Sequence, residues 1–140
     1  MMKTKLRLLL YVTFLLVLSS CTKEKEEENT GNNGLIGKWK LIEKFDGYVG
    51  GGGFTWQPVA AANSHTLEFT ATGQYIKKDA GGSNPPCSGT YQRISPDVVE
   101  INSNCQTVVE RTKISELTNR NLILDYQGRE GVIRYKYAAE

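Results

Sequence analysis

The chain has 140 residues, with 17 Lys and Arg against 15 Asp and Glu, which gives a formal net charge of +2. Three of the basic residues, Lys3, Lys5 and Arg7, lie at the extreme N-terminus, and without them 14 basic residues remain against 15 acidic ones. The rest of the chain is therefore close to neutral and has no dense Lys/Arg stripe, which argues against nucleic-acid binding.

Residues 1–20 are predicted to be a secretory signal peptide. The basic start is followed by an almost unbroken apolar run, the 11 residues from Leu8 to Leu18, which is shorter than the roughly 20 residues of a permanent transmembrane helix. The ending Leu18-Ser19-Ser20-Cys21 resembles the lipobox of bacterial lipoproteins. That resemblance implies cleavage before Cys21, a palmitate-type lipid on it and an outer-membrane anchor that faces the periplasm or the cell surface. The alternative is an ordinary signal peptide with a chance cysteine.

Residues 21–34 are predicted to be a disordered, lipidated tether. Lys23 to Glu28 is a continuous charged run, and Asn29 to Gly34 contains only turn and linker residues. Neither half offers apolar surface to offset the entropy of ordering. A helical first turn on the following domain is the alternative, and the Asn/Gly block before Leu35 disfavours it.

Residues 35–140 are 106 in number, enough for one domain with one core. Alternating apolar and polar residues, β-branched and aromatic enrichment, and regularly spaced turns predict an all-β domain of antiparallel strands. In the first run, Trp39, Leu41 and Phe45 share one face, and lysines occupy the other. The eight predicted strands are 36–45, 66–70, 74–79, 89–94, 98–101, 107–114, 121–126 and 132–137. Such a meander must close or form a sandwich to protect its edges.

Four sequence elements resemble the lipocalin-like domains of small bacterial lipoproteins. They are Gly37-Lys38-Trp39, Leu67-Glu68-Phe69-x-x-x-Gly73-x-Tyr75, Cys87-Ser88-Gly89-Thr90-Tyr91 and Leu117-Thr118-x-x-x-Leu122-Ile123-Leu124. The resemblance spans Leu35 to Tyr137 and implies an eight-stranded antiparallel up-and-down barrel. This domain is shorter than a typical secreted lipocalin, so its barrel is either hollow or filled by its own side chains.

The resemblance also assigns structural roles to Gly37, Trp39 and Arg134. An inward Trp39 on the first strand plugs the closed end of a small barrel. In lipocalins an Arg from the last strand lies against that ring, and Arg134 is the corresponding residue here. The contact would combine a cation–π interaction with hydrogen bonds to free carbonyls.

With Cys21 carrying lipid, Cys87 and Cys105 are left as a pair in an oxidising compartment, which predicts a disulfide. The turn Ser95-Pro96-Asp97 lies midway between them, and a hairpin centred on Pro96 places them face to face within reach of a bond. A redox or metal pair is the alternative, but the chain has no Cys-x-x-Cys motif and only one histidine.

The segment from Asp46 to His65 is long for a hairpin loop. It carries four consecutive glycines, 50–53, followed by Phe54 and Trp56. By the resemblance it is a hinged lid across the open barrel mouth. The alternative is that Trp56 caps the core permanently.

The preferred function is binding of a small apolar or amphipathic molecule by a lipid-anchored, monomeric, non-enzymatic domain that needs no metal or cofactor. Apolar burial would hold the ligand, and tyrosine hydroxyls would orient it. The predicted ligand contacts are Phe54, Trp56, Phe69, Tyr75, Tyr91 and Tyr126. The alternative is a protein-interaction or structural envelope module with a filled barrel and an exposed Trp56. The solitary His65 has no nucleophile motif beside it, which makes an enzyme the third choice.

Overall fold

The computed structural model describes residues 34–48, 50–51, 53–82 and 84–140, which form an antiparallel sheet of nine strands. A short 3-10 helix, Ala61–Asn63, precedes the third strand. The predicted signal peptide, the predicted lipidation of Cys21 and residues 21–33 of the predicted tether lie outside the described residues. The strands are β1 (Gly37–Tyr48), β2 (Trp56–Pro58), β3 (His65–Phe69), β4 (Gln74–Asp79), β5 (Cys87–Ser95), β6 (Val98–Ser103), β7 (Glu110–Leu117), β8 (Asn121–Gln127) and β9 (Gly131–Ala139).

Eight strands close into a barrel because β1 pairs with β3 along one edge and with β9 along the other. From β3 to β9, each strand pairs antiparallel with the next. The short strand β2 is an addition that pairs with the second half of β1 and places Trp56 opposite Phe45. The predicted eight-stranded antiparallel barrel is confirmed, whereas β2 was not predicted.

The strand directions define two ends of the barrel, here called the closed end and the mouth. β1 starts at the closed end, where the turns 69–74, 95–98 and 117–121 also lie, and the connections 48–56, 79–87, 103–110 and 127–131 lie at the mouth. Gly37 begins β1 with φ +147°, a conformation that L residues rarely adopt, so its structural role has a backbone reason. The buried apolar core is formed by Leu35, Trp39, Leu41, Leu67, Phe69, Tyr75, Tyr91, Val99, Ile101, Ile114, Leu122, Leu124 and Tyr137.

The β5–β6 hairpin has the register that a turn centred on Pro96 predicts, with Tyr91 opposite Ile101. Cys87 and Cys105 are bonded, with their Cα atoms 5.4 Å apart. The predicted disulfide is therefore confirmed. It ties the start of β5 to the β6–β7 connection and so fastens two segments at the mouth.

A β-bulge at Ile42 changes the register between β1 and β9. Leu41 pairs with Tyr137, but Glu43 pairs with Lys136, so Ile42 is an extra residue in β1. An extra residue turns every later side chain of a strand to the opposite face. In the second half of β1, the side chains that point into the barrel are therefore not the ones that simple alternation predicts.

The bulge is held from the side of the β2–β3 connection. The Ile42 carbonyl accepts a hydrogen bond from the Val59 N–H at 2.9 Å. The buried Ser64 hydroxyl donates to the Leu41 carbonyl at 2.6 Å. Backbone groups that the bulge removes from the regular ladder are thus hydrogen-bonded elsewhere. The bulge therefore does not leave buried polar groups unpaired, which would destabilise the fold.

The prediction that Phe45 lies on the inner face of β1 is consequently wrong. Beyond the bulge, Lys44 stands opposite Tyr135, and Asp46 stands opposite Ile133. Residues directly opposite each other in an antiparallel pair share a face. Lys44 and Asp46 therefore point into the barrel near the mouth, and Phe45 points out of it.

None of the helical segments in the described part of the chain has the length and apolar character needed to cross a bilayer.

Candidate ligand site at the barrel mouth

The closed end of the barrel is sealed by Trp39 and Leu35. Trp39 is 3% exposed, and its indole N–H donates to the Leu35 carbonyl at 2.9 Å. Leu35 is itself completely buried. The residues that lead into β1 thus fold under the barrel and give it a floor.

Three aromatic rings fill the space next to this floor. Phe69 packs against Tyr75 and Tyr91, with ring centroids 5.5 and 4.9 Å apart. The Tyr91 hydroxyl donates to the Thr70 carbonyl at 2.8 Å, in the turn that joins β3 to β4 at the closed end. The predicted placement of Phe69 and Tyr91 at the mouth is therefore wrong, because these rings belong to the packed floor.

A hydrogen-bonded layer of tyrosines and one histidine lies toward the mouth. Tyr126 and Tyr137 lie close enough for each side chain to shift the pKa of the other. The Tyr137 hydroxyl also lies 3.1 Å from His65 Nε2. The Tyr135 ring packs edge-on against Tyr126, with centroids 5.2 Å apart. The upper part of the barrel is therefore aromatic but carries polar groups, unlike the floor.

The hydrogen-bonding groups of this layer are uncharged near neutral pH. Burial raises the pKa values of Tyr126 and Tyr137, so both phenols keep their protons. Burial, together with the charge of Lys77, lowers the pKa of His65 to about 4, so its ring is neutral. The Glu110 carboxylate acts on Tyr126 and raises its pKa further. The layer thus offers dipoles and aromatic surface to a ligand above it.

An open cavity of about 330 Å³ lies at the mouth next to this layer. We call it the mouth cavity. Its walls are the side chains of Lys44, Asp46, Tyr48, Glu130 and Ile133, together with the backbone of Gly50 and Gly51. Tyr126 stands directly opposite Ile133 on the neighbouring strand, which places it beside the wall of the mouth cavity.

One wall of the mouth cavity carries an ion pair. Lys44 Nζ lies 3.1 Å from Asp46 Oδ1, since residues two apart on a strand share a face. The hydrogen bond that Lys44 donates to the Asp46 carboxylate raises the pKa of Lys44, and the nearby Tyr135 and Tyr48 act in the same direction. Lys44 is therefore protonated, and its charge is matched by Asp46. Beside this pair, Tyr48 and Ile133 supply apolar surface.

Phe54 and Trp56 lie on the outside of the barrel, where the bulge has turned Phe45. The Phe45 ring packs against Phe54 and Trp56, with centroids 6.4 and 5.6 Å apart. Phe54 is 57% exposed. Lys136 lies 5.9 Å from the centre of the Trp56 ring. The predicted ligand contacts of Phe54 and Trp56 at the mouth are therefore misplaced, and Trp56 does not cap the interior. We call these three rings the outer aromatic cluster.

Arg134 belongs to this outer surface and not to the floor. It stands opposite Phe45, with its guanidinium carbon 5.3 Å from the centre of that ring. Its Nε lies 3.3 Å from Asp125 Oδ1. Trp39 is paired with Ala139, at the other end of β9. The prediction that Arg134 lies against Trp39 is wrong, because the two residues occupy opposite faces and opposite ends.

None of the six predicted contacts is among the residues that line the mouth cavity. Tyr126 comes nearest in register, opposite the lining residue Ile133, and Tyr75 lies in the core. Sequence reasoning missed Lys44, Asp46 and Tyr48, which line the mouth cavity. Their own alternation was the available signal, because three polar or amphipathic residues at every second position share a face wherever that face points. Contact of any of these residues with a ligand stays a prediction.

Within the described ranges, no three His, Cys, Asp or Glu side chains are grouped as a metal site would require.

No protein-family model and no curated protein matches the chain. Among solved structures, the chain is similar to a lipocalin-like protein from Bacteroides uniformis, with a TM-score of 0.56 and 18% identity. That match covers 76% of this chain and 99% of the other. An uncharacterized protein from Bacteroides eggerthii gives a TM-score of 0.54 and 19% identity over 75% of this chain and 98% of its own. At these identities the likeness establishes the fold, which is a lipocalin-like barrel.

Proposed function

We propose that this protein is a lipid-anchored protein of the bacterial outer membrane whose lipocalin-like barrel binds a small amphipathic molecule in the mouth cavity. The mouth cavity carries the proposal. Its volume of about 330 Å³ is sufficient for a small ligand, and it combines apolar surface with fixed polar groups. The filled floor leaves the upper part of the barrel for the ligand, which favours a compact molecule over a long acyl chain.

Each group at the site has a role in this proposal. Burial against Ile133 and Tyr48 supplies most of the affinity, as in other small-molecule sites. Tyr126, opposite Ile133 on the neighbouring strand, is proposed to orient the ligand through a hydrogen bond from its hydroxyl. A binding role without catalysis is supported by the pairing of His65 with Tyr137. It is also supported by Ser64, whose hydroxyl is engaged by the Leu41 carbonyl and is not available as a nucleophile.

Filling the mouth cavity is expected to weaken ligand binding without unfolding the barrel. In Ile133→Trp the larger side chain occupies the cavity, and we expect the affinity for the ligand to fall at least about tenfold, equivalent to about 1.4 kcal/mol. Native mass spectrometry of the purified full chain measures the fraction that carries a co-purified small molecule. Ile94→Trp is the matched control, because Ile94 is 46% exposed and lies next to the turn at the closed end. Equal occupancy in wild type and Ile133→Trp, with both folded, contradicts the proposal.

The membrane anchor in this proposal rests on the lipobox-like ending before Cys21. We expect wild-type protein to carry acyl chains on Cys21 and to fractionate with the outer membrane. Cys21→Ser is expected to lose both the added mass and the membrane association, because its side chain provides no thiol for the lipid. Intact-mass measurement and membrane fractionation test this. An unmodified Cys21 in wild-type protein refutes the anchor and leaves the barrel's proposed binding role standing. Protease accessibility on whole cells then distinguishes the surface from the periplasmic orientation.

A protein-interaction module is the second candidate, and the outer aromatic cluster favours it. Phe54 is 57% exposed beside Trp56, with Arg134 and Lys136 around them. Aromatic and Arg side chains of this kind are enriched at the energetic centres of protein interfaces. A protein partner that is lost on Phe54→Ala but retained on Ile133→Trp would support this candidate over ligand binding.

A further inference from the structure

We infer that the mouth cavity selects a ligand that carries a single positive charge, such as a primary ammonium group on a short apolar chain. The inference rests on the proposed function, because it assigns the charge of the ligand of that same site. Two observations support it: the net charge of the cavity wall and the position of the Glu130 carboxylate.

Three charged side chains line the mouth cavity: Lys44, Asp46 and Glu130. Lys44 and Asp46 neutralise each other, with Nζ and Oδ1 3.1 Å apart. Within the described residues, Glu130 takes part in no ion pair. The wall therefore has a net charge of −1, and the unmatched charge belongs to Glu130.

The Glu130 carboxylate reaches from the β8–β9 turn toward the glycine segment on the other side of the cavity. A Cβ atom at Gly50 would lie 3.8 Å from Glu130 Oε2, so the carboxylate and the Gly50 backbone are neighbours. Gly50 and Gly51 have no side chains that would cover this oxygen. A ligand in the mouth cavity is therefore able to approach the carboxylate directly.

The other cavity groups also favour a cation. The Tyr48 ring provides a negative π face, to which an ammonium group is attracted, and Ile133 provides a surface for a short hydrocarbon chain. An anionic ligand would meet the Glu130 charge, and it would gain Lys44 only by displacing Asp46 from its ion pair. The Glu130 charge repels an anionic ligand and attracts a cationic one. Repulsion and attraction therefore both favour the cation.

The filled floor sets the size of the apolar part. The rings of Phe69, Tyr75 and Tyr91 pack together below the tyrosine layer, and Trp39 seals the end beneath them. A long chain has no buried path past these side chains. The ligand class is therefore a short-chain or compact amine and not a long-chain lipid.

The test uses three probes that share a chain and differ in head group: hexylammonium, hexanol and hexanoate. Isothermal titration calorimetry of the purified full chain at neutral pH measures their affinities. Because Glu130 is exposed, we expect hexylammonium to bind up to about fivefold more tightly than hexanol, and hexanoate to bind more weakly than both. Glu130→Gln, which keeps the shape but removes the charge, is expected to bring hexylammonium down to the affinity of hexanol.

Two further variants complete the design. Asp46→Asn releases Lys44 from its partner and brings the net charge of the wall from −1 to zero, so it is expected to remove the preference for hexylammonium over hexanoate. Glu140→Gln, at the chain end near the closed end of the barrel, is the matched control and is expected to leave all three affinities unchanged. Binding of hexanoate as tight as that of hexylammonium to wild type overturns the charge inference and leaves the binding function intact. Binding of none of the three probes overturns the proposed function itself.

Discussion

Replacing Trp39 with alanine is expected to lower the free energy of unfolding by about 3–5 kcal/mol, the range for removing a large aromatic side chain from a packed core. Trp39 is 3% exposed and seals the closed end together with Leu35. Its loss leaves a cavity at the floor and leaves the Leu35 carbonyl without its indole donor. Urea unfolding followed by far-ultraviolet circular dichroism measures the change.

Trp39→Phe separates packing from hydrogen bonding at the same position. It keeps an aromatic ring but removes the indole N–H, so we expect most of the packing energy to remain and about 1 kcal/mol to be lost with the hydrogen bond. A Trp39→Ala variant as stable as wild type would show that the floor is not a packed core.

The second large effect is expected from the disulfide. The double variant Cys87→Ser/Cys105→Ser is expected to lose about 3 kcal/mol of unfolding free energy, because the bond joins two residues 18 positions apart and so restrains the unfolded chain. The bond also fastens the start of β5 to the β6–β7 connection, beyond the last paired residues, Gly89 and Ser103. The same urea titration, in oxidising buffer, measures the loss.

A reducing agent provides the matched control for this prediction. Reduction is expected to destabilise wild type by a similar amount and to leave the double variant unchanged. A double variant as stable as oxidised wild type, or a wild-type chain with two reactive thiols, contradicts the assigned bond.

Much of the fold follows from local patterns in the sequence. Alternation identifies the eight barrel strands because a half-buried sheet face repeats every second residue. The hairpin turn at Pro96 locates the β5–β6 pairing and brings Cys87 near Cys105. The turn itself pairs Ser95 with Val98, and a bulge between Arg93 and Ser95 sets the register that places Tyr91 opposite Ile101. In both cases the structure depends on residues close together in the sequence.

The bulge at Ile42 explains most of what sequence reasoning missed. A period-two count that starts from Trp39 and Leu41 places Phe45 inside, because one extra residue leaves no mark in the pattern. The bulge is fixed by Val59 and Ser64, which approach from a distant segment. Because of this one inserted residue, Phe45 points out of the barrel, and Lys44 and Asp46 point inward and form part of the wall of the mouth cavity.

Depth in the barrel was the other quantity that the sequence did not provide. Alternation correctly gives Phe69 and Tyr91 an inner face, but the face does not say whether a residue lies near the mouth or the floor. The strands of a closed barrel are tilted and staggered, so equal positions along two strands lie at different heights. Tyr91 lies at the closed end because its hydroxyl reaches the Thr70 carbonyl.

The most direct test of ligand binding in the mouth cavity is a nuclear magnetic resonance titration of the full chain with hexanol. Hexanol is uncharged, so its binding does not depend on the charge of the cavity wall. The predicted result is a set of shifts at the side chains of Ile133 and Tyr48, with the methyl groups of the buried Leu122 and the indole of Trp56 unaffected. Shifts confined to Trp56 and Phe54 on the outer surface would contradict ligand binding in the mouth cavity.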